Sequence, residues 1–245
     1  MKILSIDTSS VSGSIAITED GRTLSELNTE RVGTHSEWLL PSIERLLGEA
    51  EMKPSDVDVF ALSIGPGSFT GLRIGVSVLK GLSWGGSEHT PIVGVSTLEA
   101  LALGLTGNTA YGNALIVPIL DARKKDVYSA RFELSDAGEV RRLSADSVSR
   151  PEALIEGLNK RRPQGKVLFL GLGLSVYAKM MEDLVDGAVI LGEPFWSVDA
   201  KNVARVAERA IEEQGIEAAS VGAEQLTPLY IRRSDVEFKK TVTVE

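Results

Sequence analysis

One local pattern is written twice into this chain. Near the N-terminus, Ile3-Leu4-Ser5-Ile6 reads as a strand that runs into Asp7, and polar residues Thr8-Ser9-Ser10 follow it. Ser14 to Thr18 reads as a returning strand, Glu19-Asp20-Gly21 as its turn, and Arg22 to Leu27 as a third strand. At Ala114 the pattern restarts. A strand from Ala114 to Leu120 meets Asp121, a polar tip Ala122-Arg123-Lys124-Lys125-Asp126 follows, and Val127 to Leu134 returns to Asp136-Ala137-Gly138. A chain of 245 residues built around this duplication divides into two similar α/β halves.

The elements between the two hairpins fit mixed sheets flanked by helices. Thr34 followed by Glu37 has the spacing of a capping box, and Trp38, Leu39, Ile43, Leu46 and Leu47 recur at helical spacing up to Gly48. Pro41 is expected to kink that helix near its start. Asp58 to Ile64 is a strand, Gly65-Pro66-Gly67 its turn, Ser68 to Trp84 a helix, Ile92 to Val95 a strand, and Thr97 to Leu103 a helix ending at Gly104. The second half continues with a helix after Pro151, a strand Val167 to Leu170, the turn Gly171-Leu172-Gly173, and helices from Ser175 to Leu184 and from Asp199 to Gln214. The expected boundaries are 1–107 for the first half, 108–197 for the second, and 198–245 for a helix and tail that pack back on the first half.

Composition narrows the function. Lys and Arg number 26 against 34 Asp and Glu, so the chain carries a formal charge of −8, which opposes a surface that attracts nucleic acid or anionic lipid over its whole extent. The absence of cysteine removes disulfides, thiolate nucleophiles and Cys-ligated zinc. The uncharged stretch Ala100 to Leu120 is broken by Gly104, Gly107, Asn108, Gly112, Asn113 and Pro118, so it reads as a helix end, a loop and a strand, not a membrane span. The apolar run before Asp7 is too short for a signal peptide, and the expected location is the cytoplasm.

The passage from Gly65 to Gly75 is the most unusual. Gly67, Gly71 and Gly75 are spaced by four and nearly align on one face of the helix. An interior helical glycine costs about 1 kcal/mol relative to alanine, so three of them imply close approach by another backbone. Phe69, Leu72, Ile74, Val76, Val78, Leu79 and Leu82 exceed one amphipathic face, so the helix is expected to be covered on two sides. One cover is its own sheet. The other is a helix of this chain or of a partner, and Trp38 and Leu40, pointing away from the first helix's main stripe, favour the partner. As a dinucleotide loop the passage fails, because its third glycine is one residue late and the next strand ends in Ser96-Thr97 without an acidic residue.

Asp7 with Thr8 and Ser9 places a carboxylate and hydroxyls at a strand end, where they either hold phosphate and magnesium or merely cap a tight hairpin. His35 and His89, the only histidines, are too far apart for a helical metal pair and read as surface or capping residues. The basic clusters Arg123-Lys124-Lys125, Lys160-Arg161-Arg162, Arg232-Arg233 and Lys239-Lys240 read as solvated turns or as phosphate contacts within an assembly.

Four passages together resemble the TsaB family, also called YeaZ: Ile3 to Ser9, Gly65 to Gly75, Leu120 to Tyr128, and Thr227-Pro228-Leu229-Tyr230-Ile231-Arg232. The resemblance extends in order over nearly the whole chain. It implies two actin-like (ASKHA, ribonuclease H-like) halves and a part in making tRNA N6-threonylcarbamoyladenosine as a non-catalytic partner of the transferase TsaD. The ATPase TsaE joins that pair, tRNA is reached through the assembled complex, and a homodimer forms when TsaD is absent. TsaD carries a His-x-x-x-His metal pair where this chain has Thr97 and Leu101, neither of which replaces an imidazole. The resemblance assigns Trp38, Leu39, Ile43, Phe69, Gly71, Leu72, Gly75 and Leu79 to the TsaD contact. It also implies a nucleotide site, for ATP or ADP with magnesium, at Asp7, Thr8, Ser9, Gly171 and Gly173, although Asp121-Ala122-Arg123-Lys124 departs from the glycine-rich second phosphate loop of active ATPases. No cofactor is required of the chain in this role. The rival readings are an actin-like ATPase or small-molecule kinase acting alone, and a metallopeptidase.

Overall fold

A computed structural model describes residues 1–30, 33–85, 90–161 and 165–232. His89, Arg162, Arg233, Lys239 and Lys240 lie outside the described residues. The first sheet contains β1 (Lys2–Asp7), β2 (Gly13–Glu19), β3 (Arg22–Thr29), β4 (Val59–Gly65) and β5 (Ile92–Ser96), in the order β3-β2-β1-β4-β5. β1, β2 and β3 pair antiparallel, whereas β4 and β5 run parallel to β1. The second contains β6 (Ala114–Asp121), β7 (Val127–Ser129), β8 (Phe132–Leu134), β9 (Val140–Arg142), β10 (Ser147–Ser149), β11 (Lys166–Leu170) and β12 (Ala188–Ile190). Its order, β10-β7-β6-β11-β12, repeats that of the first sheet, with β8 and β9 extending β7 and β10 along β6. These are the two similar α/β halves expected from the duplication.

The expected strand from Val127 to Leu134 is divided. β7 and β8 share a single register on β6, with Ile119 opposite Ser129 and Ile116 opposite Phe132. Continued through the gap, that register sets Ala130 against Pro118, which has no amide to give to the ladder.

The helices are α1 (His35–Glu49), α2 (Phe69–Trp84), α3 (Thr97–Leu103), α4 (Pro151–Arg161), α5 (Leu174–Leu184), α6 (Ala200–Gln214) and α7 (Ile216–Ala219). Side-chain alternation along the strands explains their layering. Leu4, Ile6, Phe60 and Leu62 face outward into a core with Leu39 and Ile43 of α1 and Val76 and Leu79 of α2. Val117, Ile119, Val167 and Phe169 face the other way from the second sheet, towards α4 and α5. The inner faces, carrying Ile3, Val59 and Val95 from one sheet and Ile116, Leu168 and Leu170 from the other, share a single core with α3 and α6.

Helix α6 lies across the inner face of the first sheet. Its first amide, that of Ala200, donates to Ser14 Oγ at 2.6 Å, and the Glu208 carboxylate accepts from the Gly21 amide at 3.0 Å. The following segment then straps the first half. Val221 bridges Ile92 at the sheet edge, Ala223 and Leu226 enter the outer core, and the Leu229 amide donates to the Ile64 carbonyl at 2.8 Å.

The capping box at Thr34 does not form. Thr34 occupies the N-cap position with no side-chain bond to a helix amide; its carbonyl accepts from the amides of Glu37 and Trp38, and its hydroxyl from Ser36 Oγ at 3.4 Å. The hydroxyl caps are Ser68 on α2 and Ser96 on α3, each accepting the amide three residues on. Helix α1 continues through Pro41 to Glu49.

Candidate functional site

The loop after β1 and the first turns of α2 are pressed together without side chains between them. A Cβ built on Gly67 would overlap the Ser9 carbonyl, and one on Gly71 the Thr8 carbonyl. On Gly75 it would stand 2.6 Å from Thr8 Oγ1 and 2.9 Å from Leu62. The contact is hydrogen-bonded as well as close. Thr8 Oγ1 donates to the Gly71 carbonyl at 2.9 Å, and the Ser68 amide donates to the Ser9 carbonyl at 2.6 Å.

This corrects the reading of the glycine row. The backbone that approaches it belongs to the chain's own first loop, so Gly71 and Gly75 offer no ridge to a partner. Leu39, Ile43, Leu72 and Leu79 are likewise core residues, all 2% exposed or less. Trp38 is half-buried, and its ring covers Gly13, where an added Cβ would lie 2.6 Å from it. Of the residues assigned to the partner contact, Phe69 alone stands well exposed. His35, expected at the surface or as a capping residue, is the buried first residue of α1. Its Nε2 bonds the Ser10 carbonyl at 2.8 Å and so ties α1 to the same loop.

Asp7 ends β1 in the interior, 1% exposed. Its Oδ2 accepts the Ser9 amide at 3.3 Å, while Oδ1 and the neighbouring Ser63 Oγ lack well-formed hydrogen bonds. Burial pushes the carboxyl up to about 6, partly offset by the polar groups of Ser63 and Ser9 and by His35. The donors a phosphate would need are partly used within the chain: the Thr8 hydroxyl donates to the Gly71 carbonyl and the Ser9 amide to Asp7. Gly171 and Gly173 serve the same packing role in the second half. Each sits against the Ile119 backbone, and the Gly173 amide donates to the Ile119 carbonyl at 2.9 Å.

The corresponding loop after β6 differs in kind. Arg123, Lys124 and Lys125 all take left-handed conformations, with φ of 61°, 53° and 65°. Each such residue costs about 1 to 2 kcal/mol without glycine's freedom. Two arginines hold the turn: Arg150 donates to the Lys124 carbonyl at 2.8 Å, and Arg232, from the strap, to the Ala122 carbonyl at 2.9 Å. Both also pair with Asp126. The polar tip between the strands marks a turn in the sequence, but not its left-handed geometry, because it lacks the Gly or Asn usual at positive φ.

Between the halves, α3, β9 and α6 meet in an ion-pair network. Glu99 binds Arg142 at 2.9 Å and also Arg209, while Arg142 binds Asp146 at 2.7 Å. The network borders a cavity of about 520 Å³ along β5, lined also by Val95 and Ser96. Thr97 and Leu101 of α3 are buried. Among the described residues no cluster of His, Asp or Glu could hold a metal ion, and no helix among them is long and apolar enough to cross a membrane.

Comparison with known proteins decides the family. Residues 30–240 match the model of "TsaD: tRNA N6-adenosine threonylcarbamoyltransferase". A Bacillus subtilis protein named tRNA threonylcarbamoyladenosine biosynthesis protein TsaB is 34% identical over 239 residues, covering 98% of this chain and 97% of the relative. The chain belongs to the TsaB family. An Escherichia coli TsaB is 28% identical over 244 residues, 98% of each chain. A solved YeaZ structure from Pseudomonas aeruginosa superposes with a TM-score of 0.73 at 28% identity, over 94% of this chain and 99% of that one. Since TsaB relatives match from end to end, both halves and α6 fall within the shared region.

Proposed function

We propose that this TsaB-family chain serves tRNA threonylcarbamoyladenosine synthesis as a non-catalytic subunit that binds and stabilises a TsaD-type transferase. The observation that carries this reading is the outer face of α2. Thr70, Ile74, Ser77, Gly81 and Trp84 follow one another at spacings of four and three, all exposed or half-exposed and none charged. That is the seam of a helix that packs on another helix. A Cβ on Gly81 would meet nothing within 4 Å, so the seam is open where the Gly71 side is closed. Leu40, 51% exposed, adds an apolar residue from α1, which packs beside α2. The same face pairs two copies when the transferase is absent. TsaE and tRNA join through the assembled complex, and this chain needs no nucleotide of its own for the role.

The test replaces the exposed seam residues Ser77 and Gly81. Ser77→Glu with Gly81→Glu is expected to abolish copurification with TsaD and lower tRNA modification at least tenfold in a reconstituted reaction, with the thermal melt of the isolated chain retained. Undiminished copurification would sink the reading. Omitting each component in turn separates a supporting subunit from a catalyst acting alone.

A further inference from the structure

The strap ends in two anchors placed on different halves. On the first half, the Leu229 amide donates to the Ile64 carbonyl at 2.8 Å, and a Cβ built on Gly65 would stand 2.8 Å from the Leu229 carbonyl. The Tyr230 hydroxyl then accepts from Arg73 Nε of α2 at 3.0 Å, and the Arg73 guanidinium covers the Phe69 ring, 3.7 Å from its centre. On the second half, Arg232 reaches the turn after β6. One of its guanidinium nitrogens donates to the Ala122 carbonyl at 2.9 Å and lies 3.5 Å from the Arg123 carbonyl, while another pairs with Asp126.

The turn is shaped around these guanidinium groups. Its Ala122 and Arg123 carbonyls face Arg232, and those of Lys124 and Lys125 face Arg150, at 2.8 and 3.3 Å. Left-handed residues other than glycine are disfavoured, so the run from Arg123 to Lys125 keeps its conformation only while such bonds are made. Without Arg232, two carbonyls and part of the Asp126 charge lose their partner, and the backbone is free to relax. The turn therefore has a held and a relaxed state, and the strap's arginine chooses between them. Ile231 alone separates the two anchors. The Tyr230 and Arg232 Cα atoms are then at most about 7 Å apart, which leaves little slack between the anchors.

We infer that residues 229–232 form a clasp through which docking on α2 is felt at the turn of the second half: cover over Phe69 and Tyr230 holds the turn, and release of the strap relaxes it. The sign follows from exposure. The two rings are 48% and 45% exposed and stand 5.4 Å apart. A partner that buries them stabilises the attached strap and gains nothing from a detached one, so it shifts the population towards the held turn. Phe69 and Arg73 immediately precede the seam residues Thr70 and Ile74, so a helix seated on the seam lies beside the rings. For the identity of the docking partner the inference rests on the TsaD reading above. By reciprocity, loss of Arg232, which is not a seam residue, weakens that partner's binding.

The test reads amide hydrogen exchange in the turn. The Ala122 amide donates to the Asp126 carbonyl at 2.9 Å and the Asp126 amide to the Arg123 carbonyl at 3.0 Å, so both report whether the turn is held. In the isolated chain, Arg232→Ala is expected to speed exchange at both amides about tenfold or more. Arg73→Ala, an exposed change on α2 of the other half, should speed them about threefold or more, with the amides of β11 unchanged. Parental rates at the turn in Arg73→Ala, or equal acceleration in β11, would overturn the clasp. In the complex with TsaD the same two amides should slow about threefold or more, and Arg232→Ala should abolish that slowing. A complex that forms without slowing them would overturn the transmission. Failed copurification sinks the seam, whereas the exchange rates of the isolated chain decide the clasp without any partner.

Discussion

Asp7 shows how one side chain can weigh on the whole fold. Its carboxyl titrates near 6 in the folded protein against an ordinary value of 3.8, because burial penalises the charged form. Folding therefore favours the protonated acid. This contribution is fully present below pH 3.8 and is lost as pH rises through 6, at a cost of roughly 3 kcal/mol. Asp7→Asn, neutral at every pH, is expected to gain about that much relative to the parent between pH 4 and pH 8, read as the shift in urea-denaturation free energy. A difference that stays constant with pH would refute the assignment. That Asp7 ends a strand was plain from the sequence, but whether its carboxylate faced a ligand or the interior was not. The spacing of Asp7-Thr8-Ser9 is the same in either case, and only the approach of α2 decides it.

Helix α2 carries glycines on two faces for opposite reasons. Gly71→Ala drives a methyl into the Thr8 carbonyl and is expected to destabilise the isolated chain by about 1 to 3 kcal/mol. Gly81→Ala adds a methyl where nothing stands and should stabilise it by about 0.5 to 1 kcal/mol. Urea midpoints of the two variants provide the measurement, and shifts of the same sign would show that the cradle against β1 is not what holds the helix. The four-residue glycine spacing does announce close approach, but it does not name the approaching backbone, which is the loop of Thr8 and Ser9 and not a helix of this chain or of a partner. Strands and helices bounded by Gly and Pro, such as β4 and α2, were legible almost to the residue. That the tail packs back on the first half was legible too, but the course of residues 220–232 was not, because an irregular segment held by a two-bond bridge to Ile92 and one bond to Ile64 has no period to read.

At the scale of the whole molecule, the duplicated strand order is matched by a core that belongs to neither half alone. Ile3 and Val59 from one sheet and Ile116 and Leu168 from the other meet over α3 and α6. Glu99 adds a charged tie by holding both Arg142 and Arg209. The halves are therefore expected to unfold as one: scanning calorimetry should give a single transition with equal calorimetric and van't Hoff enthalpies, and two resolved peaks would contradict the shared core. The order of synthesis gives α6 a further significance. On the sheet begun by Lys2, α3 covers the inner face of β4 and β5, but the inner face of β1 and β2 waits for residues from Ala200 onward to leave the ribosome. A nascent chain must carry an uncovered oily surface through most of its translation, which makes the opening strands dependent on a helix made nearly two hundred residues later.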